Sequence, residues 1–286
     1  MKSQAERAEI FRALHDRKHV LVLPNAWDVP SARIFEDEGF PAVATSSAGM
    51  MVSLGYPDGE AIPFEEFVAV IGRIARVLSV PLSADVVRGF GESTKEVVDS
   101  IRKVIEAGAI GINIEDFVHE TKALLPPESQ ADRIAALKAM GTSIGVPFVI
   151  NARTDAFRFG KGDEEAKLKE AILRGILYRD AGADCIYPMG LVERDSIRRY
   201  VEALEFPINV MIRKGLPSVQ ELKGLGVARV SFGPGASYAT FGFLKRASRE
   251  VSDKGTYSLL TEGAITFDEL NRLALPKAGS PQSGTA

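Results

Sequence analysis

The chain has 286 residues, 45% of them hydrophobic and 26% charged, with a net charge of −3. That is the make-up of a soluble globular protein with a sizeable core, without the basic excess that nucleic acid or an anionic membrane would attract. A lone cysteine, Cys185, excludes an internal disulfide and a cysteine-based zinc cluster.

The N-terminal residues form an amphipathic pattern with acidic members, not a secretory leader, and no apolar run is long enough to span a bilayer. A cytoplasmic protein is expected. Residues 4–17 place Ile10, Phe11 and Leu14 at helical spacing, a lid-like first helix. Strand patterns follow at 19–25, 40–46, 80–85, 109–115, 146–153, 183–188, 207–212 and 227–232. Helical patterns lie between them at 30–38, 63–78, 93–107, 129–141, 164–181, 194–204 and 219–225, and after them at 236–251 and 266–275. Residues 276–286 are mostly Pro, Gly, Ser and Ala, the composition of a disordered tail.

Strands alternating with helices imply parallel pairing and right-handed crossovers. The second, fourth, sixth and eighth strands follow Gly39, Gly108, Gly182 and Gly226, while the third, fifth and seventh open with Pro81, Pro147 and Pro207. An alternation over successive strands matches a barrel whose interior layers draw on every other strand. The expected fold class is α/β: one (β/α)8 barrel domain over residues 1–275, with extra C-terminal helices.

In such a barrel the C-terminal strand ends converge on one mouth. They bring together Asn25, Asp28, residues 45–49, Asp85, Arg88, Glu115, Asp116, Asn151, Arg153, Asp155, Tyr187, Asn209, Arg213 and Ser231. Acids at separate strand ends, with few lysines nearby, suit a hard divalent cation such as Mg²⁺. Arg153 is a fork for a substrate carboxylate, or else the neutralising partner of Asp155. Ser46 and Ser47 are hydrogen-bond donors for the same anion. Asp85 alone reads equally as a polar layer residue. His119, alone in its loop, reads as solvated, Cys185 as a core filler, and Gly89-Phe-Gly91 as a turn.

The runs Pro24-Asn-Ala-Trp-Asp28, Thr45-Ser-Ser-Ala-Gly49, Gly55-Tyr-Pro-Asp58, Ser83-Ala-Asp85, Ile114-Glu-Asp116 and Asn151-Ala-Arg-Thr-Asp155 together resemble the isocitrate lyase/phosphoenolpyruvate mutase superfamily. The resemblance implies a barrel whose last helix is swapped between subunits, and a homo-oligomer, dimer or tetramer. It also implies Mg²⁺ (or Mn²⁺) and a small keto or hydroxy acid cleaved through an enolate. By position it makes Asp85 and Glu115 metal carboxylates. Trp27, Ser46, Ser47, Ala48, Arg153 and Asn209 become substrate contacts, and Asp58, Arg153 and Lys122 catalytic groups.

Two departures qualify it. A second acid expected two residues after Asp85 is Val87, so weak metal affinity is expected. The Lys-Lys-Cys-Gly-His loop of the isocitrate and methylisocitrate lyases is replaced by residues 117–125, which hold no cysteine. The expected activity is therefore C–C cleavage of an oxaloacetate-like acid. The alternatives are P–C chemistry on phosphonopyruvate, or a barrel that binds a keto acid without turning it over.

Overall fold

The computed structural model describes residues 2–275, so the tail at 276–286 lies outside it. In chain order the elements are α1 (Gln4–Ala13), β1 (Leu21–Leu23), β2 (Asn25–Ala26), α2 (Val29–Asp37), β3 (Val43–Thr45), α3 (Ser47–Ser53), α4 (Phe64–Val77) and β4 (Leu82–Asp85). Then follow α5 (Thr94–Glu106), β5 (Gly111–Glu115), β6 (Phe117–Val118), β7 (Ala123–Leu124), α6 (Pro127–Ser143), β8 (Val149–Thr154), α7 (Ala156–Phe159) and α8 (Glu164–Asp180). The rest are β9 (Cys185–Pro188), α9 (Arg194–Leu204), β10 (Asn209–Met211), α10 (Val219–Gly224), β11 (Arg229–Ser231), α11 (Gly235–Lys254), α12 (Ser258–Thr261) and α13 (Phe267–Leu273).

Six strands form one parallel sheet in the order β2-β3-β4-β5-β8-β9, and three form a second, β1-β11-β10. A parallel bridge from Ile186 to Ile208 ties β9 to the segment entering β10. Pro24, which has no N–H for a ladder, interrupts the first strand path between β1 and β2 while its carbonyl accepts from the Ala44 N–H. The pairings thus run round a ring, the arrangement expected from the alternating elements. The four glycines before alternate strands all take positive φ: 86° at Gly39, 112° at Gly108, 103° at Gly182 and 83° at Gly226. Each turns the chain from helix to strand where a Cβ would be strained.

The main apolar core lies between strands and helices, from Val43, Ile112 and Ile150 outward to Phe67, Ile101 and Leu137. A smaller cluster joins Ala8 and Phe11 of α1 to Leu21, Leu23, Ala44, Ile110 and Val149 of the strands. This corrects the expectation of a lid. α1 closes the opposite end of the ring from the mouth: Gln4 donates to the Ala109 carbonyl, Arg7 to Val80 and Arg12 to Pro147, all at strand starts. Gly111 is the strand residue that admits the plug, because a Cβ there would lie 2.6 Å from the Phe11 ring.

The plug also buries His15, whose Nδ1 donates to the Phe11 carbonyl at 2.8 Å. Burial, then the charge of Arg229, pushes this imidazole down to about 3, against about 6.5 in an unfolded chain. Between those values the unfolded state holds a proton that the folded state refuses. This contribution to stability is therefore complete above about pH 6.5 and is lost as pH falls, by up to ~1.4 kcal/mol per pH unit. Urea midpoints from pH 7 to 4 should fall less steeply for His15→Gln than for the unchanged chain; parallel curves would contradict the assignment.

Candidate active site at the barrel mouth

Register sets the site. Asp85 pairs with Asn113 and Asn113 with Asn151, while two residues on, Glu115 pairs with Arg153 and Arg153 with Tyr187. Residues two apart on a strand share a face, so these are two successive tiers of one interior wall. In the lower tier Asn151 donates to Asn113 at 2.7 Å, and Asn113 donates to Asp85 at 2.9 Å. The other Asp85 oxygen accepts the Ser47 N–H at 3.0 Å, and the Ser47 hydroxyl reaches Asp58 at 3.4 Å. One serine therefore links the two acids. Both line a cavity of about 380 Å³, together with Ser46, Ala48, Arg153 and Asn209.

The 45–49 segment is not a plain loop. Ser46 caps α3, accepting the Gly49 N–H at 3.2 Å. Serine followed by Met50 and Met51 is a helix-start signal that could have been read.

In the upper tier Arg153 is held from two sides. It contacts Glu115 at 2.7 Å and forks onto Asp155 at 2.7 and 3.0 Å. Arg153 therefore neutralises Asp155, and it also lines the cavity with two of its five N–H donors left over from these contacts. Burial works against its charge, but Glu115 and Asp155 keep the guanidinium well above its ordinary value. Burial pushes the Glu115 carboxyl up, against the pull of Arg153 and His119.

His119 corrects its own expectation. It is half-buried, its Nε2 lies 2.9 Å from Glu115, and that contact raises it above an ordinary imidazole. Tyr187 lies under Arg153, its ring centroid 5.9 Å from the guanidinium carbon. Arg158, Arg213 and Arg229 also line the cavity; of these the strand-end pattern points only to Arg213, as a mouth residue.

Other predicted residues sit elsewhere. Glu115 lies behind Arg153 and does not line the cavity; both its oxygens are engaged. Asp116 is fully buried, holding Arg174, the Tyr178 hydroxyl and the Asp155 N–H, so the acidic pair divides into one site residue and one structural one. Lys122 is exposed on the β6–β7 hairpin at φ 53°, away from the cavity. Trp27 is half-buried, packing its Cβ toward Gly49. Val87, at a left-handed φ of 52°, points into the apolar core. Cys185 is core, its thiol pushed up to about 12 by burial.

Among the described residues no cluster of three or more His, Cys, Asp or Glu is arranged for a metal. A cation that keeps several waters needs fewer protein ligands. Asp58 and Asp85, joined through Ser47, offer hard oxygens. Burial, and next the charge of Asp85, raises the Asp58 carboxyl, a repulsion that a shared cation relieves. The donor set fits Mg²⁺ at Asp85 and Asp58; Glu115, expected as a second metal carboxylate, is instead spent on Arg153 and His119 and does not line the cavity.

The model of the phosphoenolpyruvate phosphomutase family matches residues 11–252. The 2-methylisocitrate lyase of Aeropyrum pernix is 31% identical, over 91% of this chain and 84% of its own length. The oxaloacetate decarboxylase of Chromohalobacter salexigens is 30% identical, over 94% of this chain and 90% of its own. A solved 2,3-dimethylmalate lyase, described as a PEP mutase/isocitrate lyase superfamily member, superposes with a TM-score of 0.81 at 26% identity, covering 96% of this chain and 92% of that one. With the matched span taking in the whole barrel and its mouth, the chain belongs to the isocitrate lyase/phosphoenolpyruvate mutase superfamily.

Proposed function

We propose that the chain is a Mg²⁺-dependent enzyme that cleaves a C–C bond of a small, oxaloacetate-like α-keto or 2-hydroxy acid through an enolate. The observation that carries this reading is the convergence of Asp58 and Asp85 on Ser47 in the cavity that Arg153 also lines. A divalent cation bound there supplies Lewis-acid stabilisation of negative charge developing on a substrate oxygen. The unspent Arg153 donors hold a substrate carboxylate, with the guanidinium pre-aimed by Glu115 and Asp155. Asn113 and Ser47 fix the Asp85 carboxylate. His119, charged more readily beside Glu115 and within electrostatic reach of Asp58 and Arg153, is a proton carrier beside the site.

Four arginines in the cavity wall favour a substrate with more than one anionic group. The second reading, P–C chemistry on phosphonopyruvate, draws on the same charge. A turnover panel of oxaloacetate, alkyl-malates and phosphonopyruvate with Mg²⁺ separates the two, and product from none of them would remove both.

Mg²⁺ should raise the melting temperature of the unchanged chain and not that of Asp85→Asn. Equal shifts in both would place the cation elsewhere.

Beyond the ring, α11 to α13 expose Tyr238, Leu244 and Phe267 at 57%, 56% and 80%. We read this face as covered by a second copy, as in a helix-swapped oligomer. Light scattering at micromolar concentration should give a dimer or tetramer mass.

Among the described residues no helix is long and apolar enough to cross a membrane.

A further inference from the structure

The other buried arginines each grip an oxygen. Arg33 holds Glu36, Arg88 holds Glu92, Arg133 the carbonyl of Glu92, Arg7 that of Val80, and Arg174 holds Asp116. Arg229 does not. It is 2% exposed, and its Nε has no hydrogen-bond partner. Its side-chain neighbour is the imidazole of His15, 3.5 Å from Nη1. That ring gives its own proton to the Phe11 carbonyl, so it meets the cation as a neutral group. No carboxylate among the described residues comes within ion-pair distance.

Arg229 also belongs to the cavity. Register places it beside Asn209, and both line the same space as Asp85 and Arg153. His15 of the plug touches Arg229 from beneath, so this is the cavity floor. Two more polar atoms there lack partners: Asn209 Oδ1 and Ser83 Oγ. Asn209 Nδ2 donates to the Ser231 hydroxyl at 3.2 Å. A hydroxyl donates as well as accepts, so this amide can turn over and present its NH₂ to the cavity. A buried cation with no carboxylate in contact, and only the more distant charge of Asp85 acting on it, is held at a cost. An arriving anion would return that cost as binding.

We propose that Arg229, with Asn209 and Ser83, forms a second anion subsite on the cavity floor. It takes the distal carboxylate of a dicarboxylic acid whose other end Arg153 holds. The subsite makes this chain selective for dicarboxylates over the matching monocarboxylates. It deepens the reading of Arg153 as a carboxylate grip and rests on it.

Calorimetry with malate and lactate, 2-hydroxy acids differing by one carboxylate, tests this on the full chain with Mg²⁺. The unchanged chain should bind malate at least ~10-fold more tightly than lactate, the smaller end of what a charged hydrogen bond contributes. Arg229→Gln should abolish that preference while moving lactate affinity by less than about threefold, and Arg229→Lys should keep part of it. Circular dichroism confirms that both variants fold, and Arg229→Lys serves as the probe if the glutamine variant does not. Equal weakening of both acids in Arg229→Gln, an unaltered malate preference, or no malate binding to the unchanged chain would overturn the subsite. Acetate binding at saturating lactate as strongly as malate gains over lactate would make the floor a site for free anions, which also overturns the bridging assignment. Arg153→Gln tests the underlying reading separately: lactate affinity unaffected by that change would reject the Arg153 grip, whatever Arg229→Gln does.

Discussion

Asp85→Asn is expected to reduce turnover by roughly three orders of magnitude or more, the rate equivalent of several kcal/mol of charge stabilisation. The substitution is nearly isosteric. Its amide oxygen can still accept from Asn113, now at 2.9 Å from Asp85, but the new NH₂ would face the Ser47 N–H. One hydrogen bond is then lost, at about 1 kcal/mol, so the fold should survive with a melting temperature lowered by only a few degrees. The negative charge that would hold the cation is gone. Steady-state kinetics on the substrate that the panel identifies, beside a melting curve, checks both halves. A variant that retains a tenth of the activity would show that Asp85 is not the metal carboxylate.

Arg174→Leu is expected to do the opposite: to damage the fold first. Asp116 is fully buried, and three groups hold it. Arg174 contacts it at 3.1 Å, the Tyr178 hydroxyl donates at 2.7 Å, and the Asp155 N–H at 2.9 Å. Burial already pushes the Asp116 carboxyl up, and the Arg174 guanidinium is the chief counterweight. Removing one partner of a buried pair leaves an uncompensated charge, which costs about 3–5 kcal/mol. For a chain of this size that lowers the melting temperature by roughly 10 °C. Tyr178→Phe should cost less, about 1–3 kcal/mol. Adding Asp116→Asn to Arg174→Leu should recover part of the loss, because the stranded charge goes with it. Urea midpoints for the four proteins check this. If Arg174→Leu melts with the unchanged chain, Asp116 is not held as a charge there. The same lesion should loosen Asp155 and, through it, Arg153, so a stable Arg174→Leu protein with full activity would separate the two networks.

Much of the site was legible because barrels place strand ends in one mouth. Asp85, Ser46, Ser47, Ala48, Asp58, Arg153 and Asn209 all line the cavity, and each stood at a strand end or in a motif of recognisable type. Lys122 and Trp27 carried the same kind of evidence and do not line the cavity, because a motif gives sequence position without the direction of the side chain. Glu115 and Asp116 illustrate the limit most clearly. Adjacent strand residues point to opposite faces, so one acid meets Arg153 inside the ring and its neighbour meets Arg174 outside it. Arg229 was invisible for another reason: an arginine opening a strand looks like any surface cation until the plug helix closes the ring beneath it.

Periodicity and punctuation in the sequence by themselves determined the alternation of strands and helices, the glycine turns before every second strand, and which end of the ring carries the polar residues. Those properties are local, set by φ preferences and by the spacing of apolar side chains. The tertiary structure alone decided which acids face the cavity, that α1 plugs the floor, that His119 leans on Glu115, and that Arg229 is buried without a carboxylate. Each of these depends on strand register and on groups far apart along the chain meeting in a space that excludes water, and no local pattern encodes that meeting.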